Sequence, residues 1–240
     1  MTNPSIFRQA FRGVRRPVKF IYSLLLGIVL SASYPSDLTS YPILPAGQGV
    51  PNLVDYSEHY LRFVPTIVQV ALPVLLRDKV GAVQLLYVAI STTAATHITK
   101  RLLNDRYVLD TRLGQRPSRT GSKQNMPSGH SSMASCAVYF VGRRYNARLG
   151  MFLMFFLVLA MYARVILNDH TISAVLAGSL IGFLCAACFT SAYFQGGARS
   201  AEDSLNAPVI QGSVEDSDAR RAKKSPPKLR AKTTISKCAL

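Results

Sequence analysis

Of the four histidines in this 240-residue chain, two stand among residues that suit phosphate chemistry. His130 closes the stretch Pro127-Ser128-Gly129-His130, where a helix is predicted to begin. His170 follows Arg164 by six positions, in Arg164-Val-Ile-Leu-Asn-Asp-His170, and Arg116-Pro117 lies upstream of both. Imidazoles titrate near neutral pH, so two of them can divide nucleophilic and acid–base duties. Arginine grips phosphoryl oxygens through a planar fork. Ser128 and Gly129 at a helix start would offer backbone N–H groups and a hydroxyl, with the helix dipole favouring an anion. Glycine also lets a ligand approach the backbone closely. The sequence has no carboxylate-rich cluster of the kind that holds a metal, so neither metal nor cofactor is expected. Charge stabilisation then falls to arginines and backbone. His59 and His97 lack such company and read as structural.

The elements that must position these groups are apolar. Apolar residues make up 49% of the chain and charged residues 17%, which excludes disorder for most of it. Long apolar runs cover Ile21–Tyr34, Leu61–Leu76, Val80–Ile98, Ser131–Val141, Leu149–Leu167 and Ile172–Phe194. A bilayer core needs about 20 helical residues. The third, fifth and sixth runs meet this, and the others borrow flanking residues. A soluble bundle would need charged faces within each run, whereas 149–166 offers only Arg164, near its end. The expectation is an all-α, six-helix transmembrane bundle over residues 18–195. It is preceded by a basic cytoplasmic tail, 1–17, and followed by a disordered basic one, 196–240. The first run reads as a retained anchor in place of a cleaved signal peptide. Cys185 and Cys188, a CxxC within an apolar helix, read as small-residue packing.

Charge gives the orientation. Lys and Arg total 28 against 12 acids, a formal charge of +16, and the excess lies mostly outside the apolar runs. Five basic residues precede or open the first run, and nine follow the last. Arg77 and Lys79 mark one turn; Arg143, Arg144 and Arg148 mark another. By the positive-inside rule both termini and both turns are cytoplasmic. Residues 35–60, 99–130 and 164–170 then face outward, and every phosphate-suited residue falls on that side. Residues 99–130 nevertheless hold seven basic residues against Asp105 and Asp110. Positive charge retained on the translocated side points to anion binding.

These residues resemble the signature of the type 2 phosphatidic acid phosphatase superfamily: KxxxxxxRP, then PSGH, then SRxxxxxHxxxD. The resemblance spans about residues 80 to 190. It implies a six-helix membrane fold and metal-independent hydrolysis of lipid phosphates through a phosphohistidine. By the same resemblance His170 attacks phosphorus, and His130 protonates the leaving oxygen and then activates water. Arg116, Ser128, Gly129 and Arg164 hold the phosphoryl oxygens. The chain departs from the pattern at three places. Leu109 stands where the lysine is expected, so Lys100 serves if residues 101–115 are an insertion, with Lys123 as the other candidate. Ala163 replaces the serine. Ala174 replaces the aspartate that would orient the nucleophile, which leaves Asp169, Ser173, a backbone carbonyl or water for that role.

The expected partners are a phosphorylated membrane lipid and the bilayer, with no nucleic acid. The expected place is a bacterial inner membrane, with the site on the periplasmic face. Size and the basic outer loop look most like the bacterial lipid A phosphatases of the superfamily. The stretch His170-Thr-Ile-Ser-Ala-Val-Leu-Ala-Gly178 is also similar to polyprenyl-diphosphate phosphatases. Phosphatidic acid and phosphatidylglycerophosphate phosphatases, a lipid phosphotransferase and a non-catalytic lipid-binding relative are the other readings.

Overall fold

A computed structural model of the protein describes residues 4–12, 14–38, 49–118 and 121–193. Within them lie α1 (Pro4–Arg12), α2 (Val18–Ser33), α3 (Asn52–His59), α4 (Val64–Leu75), α5 (Lys79–Leu103), α6 (Gly129–Arg144), α7 (Ala147–Ile166) and α8 (Ile172–Phe189). A 3₁₀ turn, Leu61–Phe63, links α3 to α4. Between α5 and α6 a two-stranded antiparallel hairpin pairs β1 (Tyr107–Val108) with β2 (Thr111–Arg112).

Local chemistry sets several helix starts. The Asp78 carboxylate accepts from Gly81 N at 2.8 Å ahead of α5, Asn146 Oδ1 from Arg148 N at 2.8 Å ahead of α7, and Thr171 Oγ1 from Ala174 N at 3.3 Å ahead of α8. Each satisfies an amide that the first helical turn leaves unpaired. Pro65 sits in the first turn of α4, where its missing N–H costs nothing.

Helix α6 is the centre of the bundle, packed against α4, α5, α7 and α8. Its apolar run is short because it faces protein, and its serines bond within the bundle. Ser132 Oγ donates to Gly129 O, Ser135 Oγ donates to Ser132 O, and Thr96 Oγ1 of α5 pairs with Ser132 Oγ at 2.9 Å. Helix α8 approaches it through glycines. A Cβ at Gly182 would lie 2.1 Å from Ser132 O, and one at Gly178 would lie 2.2 Å from Ser128 O. Small residues that let backbones meet are the packing device of helices in lipid.

Helices α7 and α8 are long and apolar enough to cross a bilayer, while Val18–Ser33 and Leu61–Leu75 are shorter apolar helices. The outer faces expose Leu26 and Val29 of α2, Ile67 and Val74 of α4, Ile90 of α5, and Phe152 and Phe155 of α7. An apolar girdle of this extent is far from the surface of a water-soluble monomer.

Two expectations change. Residues 4–12, read as tail, form α1, which packs on α5. Gln84 Nε2 donates to Ala10 O at 2.7 Å, and the Phe11 ring meets Tyr87 edge-on, with centroids 4.8 Å apart. Arginines interrupt the apolar residues of this stretch, so it carries no long apolar run. Residues 52–59, expected within a loop, form α3. The predicted tail 196–240 and residues 39–48 of the outer loop lie outside the described residues.

At the end of the bundle formed by the α4–α5 and α6–α7 turns, Arg144 is buried and paired. Its Nε and Nη2 donate to Asp78 at 2.6 and 2.7 Å, and its Nη1 donates to Gln84 Oε1 at 2.9 Å and Ser191 O at 3.2 Å. The predicted cytoplasmic elements (α1, both basic turns and the end of α8) meet at this node.

Candidate active site

The opposite end of the bundle gathers the phosphate-suited residues. His170 lies in the turn between α7 and α8 and is 2% exposed. Its Nδ1 lies 2.7 Å from the backbone oxygen of Asn125. A carbonyl only accepts, so Nδ1 carries the proton and Nε2 the lone pair. That is the tautomer a nucleophile at Nε2 requires. The Asn125 side chain fastens this arrangement: Oδ1 accepts from Thr171 N at 3.0 Å, and Nδ2 donates to Thr171 Oγ1 at 3.2 Å.

Ala174, where the signature has aspartate, is fully buried among Leu113, Met126 and Ala177. Its carbonyl accepts from Ser128 N at 2.9 Å, tying the start of α8 to the start of α6. The orienting group of His170 is therefore a backbone carbonyl. Asp169 is turned elsewhere: Oδ1 meets Arg116 Nη1 at 3.1 Å and Oδ2 meets Arg164 Nη2 at 3.0 Å. Ser173 is likewise engaged away from His170, its hydroxyl pairing with Thr171 Oγ1 at 3.1 Å and accepting from Ser36 N at 3.1 Å.

The arginines continue in a ladder. Glu58 of α3 accepts from Arg164 Nη1 at 2.8 Å and also holds Arg62 of the 3₁₀ turn. Arg62 Nη1 in turn lies 3.1 Å from His130 Nε2 at the start of α6. The chain of contacts runs Arg116, Asp169, Arg164, Glu58, Arg62, His130. The Nε atoms of Arg62, Arg116 and Arg164 are buried with no hydrogen-bond partner among the described residues. A buried, charged donor left unpaired is costly, and an anion that accepts from it relieves that cost.

Ser128 is buried as the residue preceding α6, and its hydroxyl accepts from Ser131 Oγ at 3.1 Å. With Ser128 N bonded to Ala174 O and Ser132 N to Ser128 O, the amides left to bind an anion at this helix start are those of Gly129, His130 and Ser131. A Cβ at Gly129 would meet no atom within 4 Å, so the space beside it is open to a ligand.

The two lysine candidates part company. Leu109 sits at the tip of the β-hairpin, 73% exposed and with positive φ. The hairpin lies within residues 101–115, between Lys100 and Arg116, and Lys100 at the end of α5 is the lysine beside the site. Burial lowers Lys100 to about 8, with the Arg116 and Arg164 charges adding to the effect. Lys123 lines an open groove with Arg116 and Gln124 and borders Lys100 on its other side, but its side chain is exposed and its ammonium is 3.9 Å from the exposed carboxylate of Asp105. His97 borders the same side beside Lys100, and His59 is exposed with Asp55 at 3.2 Å.

The histidines are held neutral. Both lie beyond the apolar stretches 131–141, 149–167 and 172–194. Burial pushes His130 down to about 4, reinforced by Arg164, Arg62 and Lys100 and opposed by Asp169. Burial also lowers His170 well below the usual imidazole range, reinforced by Arg164, Lys100 and Arg116 and opposed by the Asn125 carbonyl. Four cations (Arg62, Lys100, Arg116, Arg164) against two carboxylates (Glu58, Asp169) leave an excess of two positive charges, the complement of a phosphate monoester dianion.

Glu58, Arg62 and Asn125 went unmarked in the sequence. The first is a single charged residue in the expected outer loop, the second a single charge at the edge of an apolar run, and the third acts on His170 through its backbone, which no side-chain pattern reports.

Two histidines set among arginines beside a helix start form a constellation suited to a phosphate group. Residues 81–197 match the family model described as the PAP2 superfamily. The chain is 45% identical to the lipid A 1-phosphatase of Helicobacter pylori strain J99 over 173 residues, 72% of this chain and 87% of that protein. The lipid A 1-phosphatase of strain 26695 is 44% identical over the same length, and the lipid A 4'-phosphatase of strain J99 is 32% identical over 135 residues, 55% of this chain and 67% of that protein. No solved structure gives a significant match. The chain belongs to the PAP2 superfamily.

Proposed function

We propose that this protein is a lipid A phosphatase, removing the 1-phosphate at the outer face of a bacterial inner membrane. The observation that carries the phosphatase reading is the tautomer of His170, fixed by the Asn125 carbonyl, on a ring that feels the charges of Arg164, Lys100 and Arg116. The substrate and the position of the phosphate rest on the two relatives at 44–45% identity, both named lipid A 1-phosphatases. A six-helix membrane domain with both termini cytoplasmic is supported by the apolar girdle and by the meeting of the predicted cytoplasmic elements at Arg144.

In this reading His170 Nε2 attacks phosphorus, and the ester P–O bond breaks as the leaving oxygen takes a proton from His130. Water then attacks the phosphohistidine and loses a proton to His130, the P–N bond breaks, and inorganic phosphate leaves. Arg116, Arg164, Lys100 and the amides at Gly129 and His130 stabilise the charge on the phosphoryl oxygens.

The test is phosphate release from a lipid panel by purified protein in detergent, with products weighed by mass spectrometry. Bis-phosphorylated lipid A should lose its 1-phosphate, and phosphatidic acid and polyprenyl diphosphate should be poorer substrates. His170→Ala should abolish turnover and leave no trapped phosphoenzyme. Preference for polyprenyl diphosphate would support the second reading, which the His170–Gly178 stretch favours.

A further inference from the structure

Arg62 occupies a position that the phosphatase chemistry has to clear. Its Nη1 lies 3.1 Å from His130 Nε2. Guanidinium has donors only, so Nε2 must be the acceptor, unprotonated. A histidine in that state can accept a proton from water but cannot protonate a leaving oxygen. Glu58 holds Arg62, and the same carboxylate takes Arg164 at 2.8 Å. Both residues precede the stretch 81–197 that matches the family model, and both arrive on α3 and the 3₁₀ turn after it.

We propose that Arg62 is a positioning residue for His130: it holds Nε2 as an acceptor before substrate binds, then passes to the phosphoryl oxygens and so releases His130 to act as the acid. This rests on the reading of the site as a lipid phosphatase. A dianionic phosphate between Arg116, Arg164 and Arg62 offers the guanidinium a stronger acceptor than a neutral imidazole. The same negative charge favours imidazolium beside the leaving oxygen. The buried Nε of Arg62, with no partner among the described residues, supplies a second donor for that phosphate. Glu58 limits the travel of Arg62 to a swing about its carboxylate. Once phosphate has left, Arg62 returns to His130.

The experiment compares wild type, Arg62→Gln and Arg62→Lys, each full-length in detergent, with thermal melting to confirm folding. Two substrates are used: lipid A, whose leaving oxygen needs a proton, and p-nitrophenyl phosphate, whose leaving phenolate does not. Arg62→Gln should lose about tenfold or more in kcat on lipid A and several-fold less on p-nitrophenyl phosphate. The limb of its pH–rate profile that reports His130 should move to higher pH, because a neighbouring cation no longer disfavours the imidazolium. Arg62→Lys keeps the charge and loses the fork, so its limb should stay in place while kcat on lipid A falls. Should Arg62→Gln not fold, the same substrate comparison on Arg62→Lys decides. Equal losses on both substrates with unmoved limbs would overturn the inference, as would near-wild-type kinetics in both variants. A wild type that releases phosphate from no lipid would overturn the phosphatase reading and this inference with it. An active wild type with indifferent Arg62 variants overturns this inference alone.

Discussion

Asp169 and Ala174 show how a site residue's neighbours decide its work. Asp169 adjoins His170 in sequence, yet its carboxylate bridges Arg116 and Arg164. Asp169→Asn should therefore raise KM about tenfold by loosening two phosphate-binding forks, and leave the pH limb of His170 in place. Steady-state kinetics across pH separates the two effects. Ala174→Asp would put a carboxylate in an apolar pocket beside Leu113 and Met126, where His170 Nδ1 is already engaged by Asn125. The expected outcome is a lower melting temperature and no gain in activity, since a buried charge without a partner is costly. The lysines make a paired prediction. Lys100→Gln should reduce kcat/KM by about tenfold or more, whereas Lys123→Gln, whose ammonium faces water and Asp105, should change it by less than about threefold. The histidines and Arg116 and Arg164 could be read from the sequence because their types and spacings form local patterns. Glu58 and Arg62 could not, since their contacts with Arg164 and His130 close across 106 and 68 residues.

At the scale of elements, the geometry of the pair His130 and His170 depends on how closely α6 and α8 meet. Gly178 makes that approach possible, with Ser128 O filling the place of its absent Cβ. Gly178→Ala should push the two helix starts apart and destabilise the fold by about 1–3 kcal/mol. Displacement of His130 from His170 should cost about a hundredfold in turnover, read by phosphate release alongside thermal melting. The sequence marked Gly178 only as part of a resemblance; its physical reason is an opposing backbone oxygen, which periodicity cannot show. The apolar runs were legible because long apolar stretches are a strong signal, and each matched a helix within a few residues. Helices α1 and α3 were not, because each is about two turns of mixed composition whose helical state depends on docking to the bundle. The β-hairpin was legible only as an interruption of the expected lysine spacing. Its turn places Leu109 and Asp110 at positive φ without the glycine or asparagine that would announce it.

Across the whole molecule, the depressed histidines give stability a pH dependence. An unfolded chain binds protons at histidine below about pH 6.5, whereas His130 in the fold resists protonation down to about 4 and His170 also remains neutral well below the usual range. Between those limits the unfolded state carries more protons, so stability falls as pH falls through that window and is fully present above it. Melting temperature in detergent should decline from neutral pH toward pH 4, at roughly constant salt. His130→Gln and His170→Gln should each flatten that decline. Added inorganic phosphate should raise the melting temperature of the wild type, because an anion that binds only the folded state stabilises it.

The amide of Gln84 donates to Ala10 O near one end of the chain and to Ser191 Oγ just after α8. Arg144, in the α6–α7 turn, likewise draws on Ser191. Biosynthesis reaches these partners in a fixed order. By the time Arg144 has emerged, Asp78 and Gln84 are in place, but Ser191 is still to be added. A nascent protein therefore carries an incompletely satisfied guanidinium in a membrane-bound intermediate, and α1 gains its full mooring only when α8 has been inserted. The clasp that seals the end of the bundle away from the candidate site closes last, which makes a chain cut short before residue 191 a target for membrane quality control even though every group of that site has already been made.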